Sequence, residues 1–569
     1  MSNLDWLLMI SFLVFVAVYG IWKTRGKKDL NGYILANKST PWYTITLSIM
    51  ATQASAITFL SGPGQAYRDG MRFVQIYLGL PIAMVIISII AVPYFHKLKV
   101  YTAYEFLEKR FDLKNRTLGS ILFLIQRGLA CGFTILAPSL IISVILGWDI
   151  RLTIFMVGGV VILYTATGGT DAVYKTHLLQ MGIITVGMAA AFFMILRLLP
   201  PDISFLDAVH VAGKAGKLNV ITFAFDWKDR YSIWSGLIGG TFLALSYFGT
   251  DQSQVQRYLS GRSIAQSRFG LLANGIFKLP MQFAILFTGA LIFVFYQFVT
   301  PPIFFNSVET ASIKNSPYSQ AYQELETKHE RLHKEKQDHI RDMLKSIESR
   351  ADSDLDQSIQ MLQKSQASES EIREEATALI KKANPNADTN DINYIFLSFV
   401  INFLPAGVVG LILASILSAS MSSTSAELNA LASVTIVDIY KRAFKKNASD
   451  RHYLIASKLA TVFWGVYAIN SALLAIHLGS LGALIEAVNI LGSFFYGTIL
   501  GIFLIAFFFK NIGGNATFIA AIIAELSVIS CFFFTKIPYL WFNVIGCVVL
   551  IALAHLMNPL FVAINKNRA

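Results

Sequence analysis

A run of hydroxyls, Ala419-Ser420-Met421-Ser422-Ser423-Thr424-Ser425, interrupts an otherwise apolar stretch. A hard cation takes oxygen ligands, and two adjacent serine hydroxyls with a carbonyl one turn earlier can supply several of them. Any single serine there could equally bond back to the carbonyl four residues before it. A second stretch, Ala51-Thr52-Gln53-Ala54-Ser55-Ala56-Ile57-Thr58-Phe59-Leu60, crowds small and hydroxylated residues into an apolar run, with Ser61-Gly62-Pro63-Gly64 after it. The sequence predicts that Gly62, Pro63 and Gly64 break this helix. Backbone groups freed by a break are tolerated at membrane depth only where they line a cavity, and discontinuous helices of this kind hold ions and solutes in secondary transporters. A small-residue packing face between helices is the alternative. A third run, Phe248-Gly249-Thr250-Asp251-Gln252-Ser253-Gln254-Val255-Gln256-Arg257-Tyr258-Leu259, ends an apolar span with polar and charged groups. An ionisable residue near membrane depth is a functional candidate; a plain cytoplasmic loop is the other reading.

The elements that must position these groups are set by composition. The chain is 54% hydrophobic and only 14% charged, with a mean hydropathy of +0.55, outside the range of an ordinary soluble chain. Ile76 to Tyr94, Met181 to Leu199 and Thr461 to Ile485 are mostly apolar, and about 20 such residues cross a bilayer as a helix. A 19-residue hydropathy window gives roughly thirteen spans, among them 41–66, 152–168, 178–199 and a helix carrying the serine run from about Ile395 to Val437. The first apolar run, Trp6 to Trp22, is followed rather than preceded by its bases Lys23, Arg25, Lys27 and Lys28, so it reads as an uncleaved span and not a signal peptide. The formal charge of +12 resides in short loops, including Lys23–Lys38, Lys175 and Lys441–Arg451, as positive-inside bias requires. Nucleic acid is therefore not an expected partner; membrane lipid is. The N-terminus is expected outside and the C-terminus inside. Cys131, Cys531 and Cys547 all fall in apolar runs, which suits packing and fits no disulfide or metal framework.

Three parts are expected along the chain: membrane domain over 1–304, a polar insertion over 305–392, and membrane domain again over 393–569. Within the insertion, Tyr318–Ser349 and Leu355–Lys382 have helical apolar spacing and are separated by a polar turn near Ala351–Asp354. A charged helical hairpin on the extracytoplasmic face follows, either as a protein-partner surface or as a solvated spacer.

The segments "GTDQSQVQRYL", "SAITFLSGPGQAY", "GGTDAVYKTHLLQ", "APSLIISVILGW" and "SASMSSTSAELNALASVTIVDIY" together resemble the sodium:solute symporter family, over Trp6 to about Lys510 except the hairpin. The resemblance implies an all-α polytopic membrane protein with a five-plus-five inverted repeat, broken helices and sodium-driven uptake of a small organic solute (sugar, sialic acid or monocarboxylate-like) across the plasma (inner) membrane. It implies a sodium site from the carbonyls of Ala51, Ala54 and Ala419 and the hydroxyls of Ser422 and Ser423. It implies solute contacts at Gln53, Ser55, Thr58, Phe73, Tyr77 and Asn489. One departure stands out: many relatives carry Thr-Asp where this chain has Thr176-His177. Imidazole offers no anionic oxygen and titrates near neutrality, so one sodium per solute is expected and a pH-sensitive step is open. Arg127, within an apolar helix, must face protein or water; a solute carboxylate is one candidate partner, and snorkelling to the interface is the alternative.

No GxSxG or phosphate-binding loop occurs in the sequence, so an enzyme is not expected. A proton-driven carrier of the same fold and a transporter-like sensor are the rival readings.

Overall fold

The structure, a computed structural model, describes residues 1–24, 40–349, 352–385, 387–476 and 482–566. Among these residues there is no strand, only an isolated bridge between Thr40 and Gly261. The helices are α1 (Asn3–Thr24), α2 (Trp42–Gln53), α3 (Ala56–Asp69), α4 (Leu80–Ile89), α5 (Ala91–Leu98), α6 (Tyr104–Arg110), α7 (Leu113–Leu146), α8 (Ile150–Leu198), α9 (Phe205–Lys214), α10 (Gly240–Gly249) and α11 (Gln252–Leu259). They continue as α12 (Ile264–Phe298), α13 (Ser307–Lys314), α14 (Ser319–Ser349), α15 (Asp352–Ala383), α16 (Ile392–Phe403), α17 (Val408–Val434), α18 (Asp450–Ile476), α19 (Leu484–Phe508), α20 (Gly514–Phe534) and α21 (Leu540–Lys566).

Nine helical stretches among the described residues are long and apolar enough to cross a membrane, and four shorter apolar helices accompany them: Asn3–Val16, Ile150–Ala166, Ser235–Gly249 and Ile392–Phe403. The spans expected at 152–168 and 178–199 are joined in α8, which no proline interrupts. The basic residues Lys27, Lys28 and Lys38, and the side chain of Lys175, lie outside the described residues.

Two helices are interrupted in mid-course. Between α2 and α3, Ala54 turns out of the helix (φ −84, ψ 68) and Ser55 is extended (φ −77, ψ 172). Between α10 and α11, Thr250 leaves the helix and Asp251 caps the next one, its side chain accepting from the Ser253 N–H, as a short acceptor at an N-cap does.

The first break corrects the expectation at Gly62-Pro63-Gly64. Those residues lie inside α3, which runs on to Asp69. They serve as a packing face: a side chain at Gly64 would meet the Ile392 carbonyl, one at Gly62 would meet Ile285, and one at Gly289 of α12 would meet Pro63. Proline forfeits one ladder bond, and the close approach of α12 and α16 accounts for its glycine neighbours.

The serine-bearing helix is also shorter than expected. The chain bends at Leu404-Pro405-Ala406-Gly407, separating α16 from α17. A residue before proline avoids the helical region, and Leu404 is extended at ψ 147. Gly407 takes φ +89, a conformation glycine adopts without a Cβ penalty. Asp5 of α1 then caps α17, accepting from the N–H groups of Gly407 at 2.7 Å and Gly410 at 3.0 Å.

α14 and α15 pack against each other as a hairpin. Tyr322, Ile372, Ala376 and Ile380 bury with Ile303, Phe304 and Ile313 in a small separate core, whereas Ile340, Met343 and Leu362 join the main core.

Candidate functional site

The break at Ala54–Ser55 opens onto a cavity of about 110 Å³, to which Gln53, Ser55, Thr58, Tyr77 and Asn489 all contribute. Four elements position them: the end of α2, the start of α3, the 3₁₀ turn Gly70–Gly79, and α19. Thr58 donates to the Gln53 carbonyl across the break at 3.3 Å. Asn489 donates to the Ile485 carbonyl of its own helix at 2.8 Å, leaving its oxygen. Gln53 Oε1 is buried with no donor. Phe73 is not at the cavity wall; its ring packs edge-on behind Tyr77, with centroids 6.2 Å apart, and against Tyr231 at 5.5 Å.

The five sodium candidates are all buried. Ala51 and Ala54 end α2, where the break stops the hydrogen-bonding ladder and leaves terminal carbonyls without intrahelical donors. α17 packs against both α2 and α3. On it, Ser423 bonds back to the carbonyls of Ala419 at 3.1 Å and Ser420 at 3.2 Å, while the buried Ser422 hydroxyl has no partner. An unpartnered buried hydroxyl costs desolvation free energy unless something fills its valence, and a cation does so.

His177, the departure at Thr176-His177, is buried in α8 and its Nδ1 lies 2.9 Å from the Ser48 hydroxyl of α2. The imidazole thus ties α2, the first half of the interrupted helix, to α8.

Arg127 on α7 is held by carboxylates of the protein itself. Its Nε donates to Asp251 at 3.0 Å, Nη1 to Glu427 at 3.1 Å, and Nη2 to both Asp251 and the Tyr496 hydroxyl. Thr134 donates to the other oxygen of Glu427 at 3.0 Å. Four segments, α7, the α10–α11 break, α17 and α19, therefore meet at one buried cluster on the cavity wall. Asp251 of the polar run is a structural anchor there rather than part of a cytoplasmic loop.

Two ionisable residues at this depth escaped the sequence reading. Glu427 lies two residues past the serine run, and Lys278 sits in α12, fully buried, without an acceptor, its ammonium 5.8 Å from the Tyr77 ring centroid. The rule that singled out Arg127, a charge inside an apolar span, applies equally to both.

The N-terminal end of α19 is tied down. Leu484 N–H donates to Asn393 of α16 at 3.2 Å, Ile485 N–H to Ser61 of α3 at 3.2 Å, and Glu486 accepts from Arg230 and Tyr231 at 2.7 and 2.9 Å. On the other side, Asp438 accepts from Thr102 and Arg116, and Glu108 from Arg116 and Arg442.

Comparison with known proteins bears on what this arrangement does. The profile of the sodium:solute symporter family matches residues 33–328 and 375–524. The chain is 24% identical over 566 residues to the sodium/sialic acid symporter NanT of Aliivibrio fischeri, covering 98% of this chain and 94% of that protein. It is 30% identical over 289 residues to the human sodium/iodide cotransporter, covering 50% of this chain and 44% of that one. It is 25% identical to the mouse sodium-coupled monocarboxylate transporter 1, over 88% of this chain and 68% of that one. Among solved structures, a substrate-bound, outward-open sodium-coupled sialic acid symporter superposes with a TM-score of 0.74 over 98% of both chains at 21% identity, which is a likeness of fold.

Proposed function

Because the chain belongs to the sodium:solute symporter family, we propose that it carries a small organic solute into the cell on the sodium gradient, as a multi-pass plasma-membrane protein and not an enzyme. The core is a five-plus-five inverted repeat, about residues 41–199 against 233–510, with one helix before it and two after. The N-terminus is outside, the C-terminus inside, and the insertion 305–392 extracytoplasmic, between membrane parts 1–304 and 393–569. The breaks at Ala54–Ser55 and Thr250–Asp251 support this reading, since they interrupt corresponding helices of the two halves.

The observation that carries the proposal is the coincidence, at the Ala54–Ser55 break, of a cavity of about 110 Å³ with terminal carbonyls and the packed hydroxyl face of α17. Sodium takes the carbonyls of Ala51, Ala54 and Ala419 and the hydroxyls of Ser422 and Ser423. Solute takes Gln53, Ser55, Thr58, Tyr77 and Asn489, with Phe73 fixing the Tyr77 ring. Bound sodium holds α17 against the interrupted helix and completes the cavity wall, so that solute and ion favour the same closed arrangement. The outer ties of α19 and the ties at Asp438 and Glu108 are the contacts that alternating access must break in turn. Arg127, fully engaged by Asp251 and Glu427, is an anchor for the cavity wall rather than the counter-ion of a solute carboxylate.

One sodium moves per solute, because His177 stands where relatives place an acid. Each charge driven inward is worth about 2.3 kcal/mol per 100 mV. Reversal potentials in proteoliposomes, with a solute found by a competition screen of sugars, sialic acids and monocarboxylates, measure the ratio directly. A ratio of two overturns the single-site reading. Replacing sodium by choline must abolish uptake; uptake that persists and follows the pH gradient establishes proton drive instead, the reading that His177 leaves open.

A further inference from the structure

Residues 329–374, most of α14 and α15, lie outside the stretch that the family profile matches. Where this hairpin meets the rest of the chain there is a second, larger cavity of about 560 Å³. Its walls come from the end of α3 (Arg68), the segment after α9 (Lys217), α12 (Phe293), the hairpin (Lys336, Arg373) and the start of α16.

The charges around it do not close. Lys336 pairs with Glu369 at 2.5 Å, and Arg373 with Asp391 at 2.7 Å. Asp391 is also engaged by the Phe305 N–H at 2.8 Å. Lys217 forms no such pair. It donates to the Arg68 carbonyl at 2.6 Å and rests on Phe293, 4.6 Å from the ring centroid, with the Lys336 ammonium 5.9 Å from the same centroid. Burial, opposed by Asp69 and Glu369 and reinforced by Lys336 and Arg68, pushes the Lys217 ammonium down to about 8. Five bases (Arg68, Lys217, Lys336, Arg373 and Lys381) and three carboxylates (Glu369, Glu374 and Asp391) line the cavity, so Lys217 sits in an excess of positive charge without an ion pair of its own. Ammonium groups converging with a guanidinium, whose planar fork matches carboxylate and phosphate, constitute an oxyanion-binding set.

We propose that this cavity binds an oxyanion group (carboxylate, sulfate or phosphate) with Lys217 as its principal counter-ion and Lys336 and Arg373 beside it. The group arrives either as a free solute or on a lipid headgroup. Bound there, it joins the hairpin to the outer end of the first broken helix, and so stabilises their contact.

The test uses the full chain in nanodiscs of uncharged lipid, with thermal unfolding followed at constant ionic strength and sodium. Sulfate or phosphate should raise the midpoint saturably over chloride, as a ligand of the folded state does. Lys217→Arg should retain the shift, Lys217→Met should lose it, and Lys345→Ser on the exposed hairpin surface should keep it. A shift that appears without free oxyanion when the discs contain phosphatidylglycerol, and that Lys217→Met removes, identifies the headgroup as the source. A wild-type chain that shows no saturable shift in any arm, or a Lys217→Met variant that shifts as wild type does, overturns the site. Should Lys217→Met fail to fold, acetylation of wild type mapped by mass spectrometry decides: oxyanion must slow modification of Lys217 and not of Lys345, and equal rates at both overturn the proposal.

Discussion

Two buried ion clusters, one at the cavity wall and one at the hairpin root, are built in opposite ways. At the cavity wall one cation, Arg127, serves two carboxylates, Asp251 and Glu427. At the hairpin root one carboxylate, Glu369, serves three bases: Lys336 at 2.5 Å, His329 at 3.2 Å and His333 at 3.7 Å. The first lies among helices long and apolar enough to span a membrane, where no water can replace a lost partner. The second lies between two polar helices, and the Glu369 side chain retains 14% of its exposure. Removing a member should therefore be far more damaging at the first than at the second.

The largest effect is expected from Arg127→Met. It leaves two carboxylates facing each other without a cation, and breaking a buried pair in this way costs about 3–5 kcal/mol. Adding Asp251→Asn and Glu427→Gln to it should recover much of that loss, because the uncompensated charges go too. Thermal unfolding in detergent of the single and triple variants checks this. A single variant as stable as wild type would mean that the cluster is not what joins α7, α11, α17 and α19.

Ser422→Ala with Ser423→Ala should have little effect on folding, since Ser422 has no hydrogen bond to lose and Ser423 only bonds back to carbonyls of its own helix. Its effect belongs to the ion. A hydrogen-bond-like contact to a charged group is worth about 1.5–3 kcal/mol, so losing two oxygens should raise the sodium concentration for half-maximal uptake by about tenfold or more. An unchanged sodium dependence removes α17 from the site.

The same contrast decides what could be read from sequence. The interrupted helices were legible because serine, threonine, glycine and proline are out of place in apolar spans, yet the place of the first break was not. Gly62-Pro63-Gly64 carries the stronger local signal, but α12 and α16 pack so closely on it that the helix continues, and the chain opens at Ala54–Ser55 instead. Gln53, Ser55, Thr58, Tyr77 and Asn489 line one cavity, and Phe73 stands one layer back. Arg127 was visible as a charge in a span, but its partners lie 124 and 300 positions away, a separation that no periodicity reveals. At the hairpin the helical spacing was legible; the meeting of His329, His333 and Lys336 at Glu369 depends on the register of two helices, which one sequence does not fix.

A smaller effect is expected at Glu369. Burial there opposes the charged form, but the hydrogen bond from His329, the nearby His333 and the charge of Lys336 outweigh it and hold the carboxyl well below its usual range. A depressed folded-state pKa adds stability above the unfolded value, about 4.3, and that stability is lost as pH falls through the folded value. Glu369→Gln should thus cost about 1–3 kcal/mol at neutral pH and flatten the acid limb of the stability profile below about pH 4. Unfolding midpoints of wild type and variant across that range test it; parallel profiles would show that Glu369 is not the group that titrates.

The smallest effect sets the scale for the others. Lys345 and Asp342 form an ion pair at 3.3 Å on the outer face of α14, with 76% and 63% of their side chains exposed. In water such a pair gains little Coulomb energy and restrains two side chains. Lys345→Ala should change stability by less than about 0.5 kcal/mol and leave sodium-driven uptake as it is. If it destabilised the chain as much as Glu369→Gln, the hairpin would be held by its solvated surface and not by its root, and the contrast between the two clusters would fail on the hairpin side. If it is silent while Glu369→Gln is not, the polar part of the hairpin's hold lies in the contacts around Lys336, Glu369, Arg373 and Asp391, which border the cavity beside Lys217.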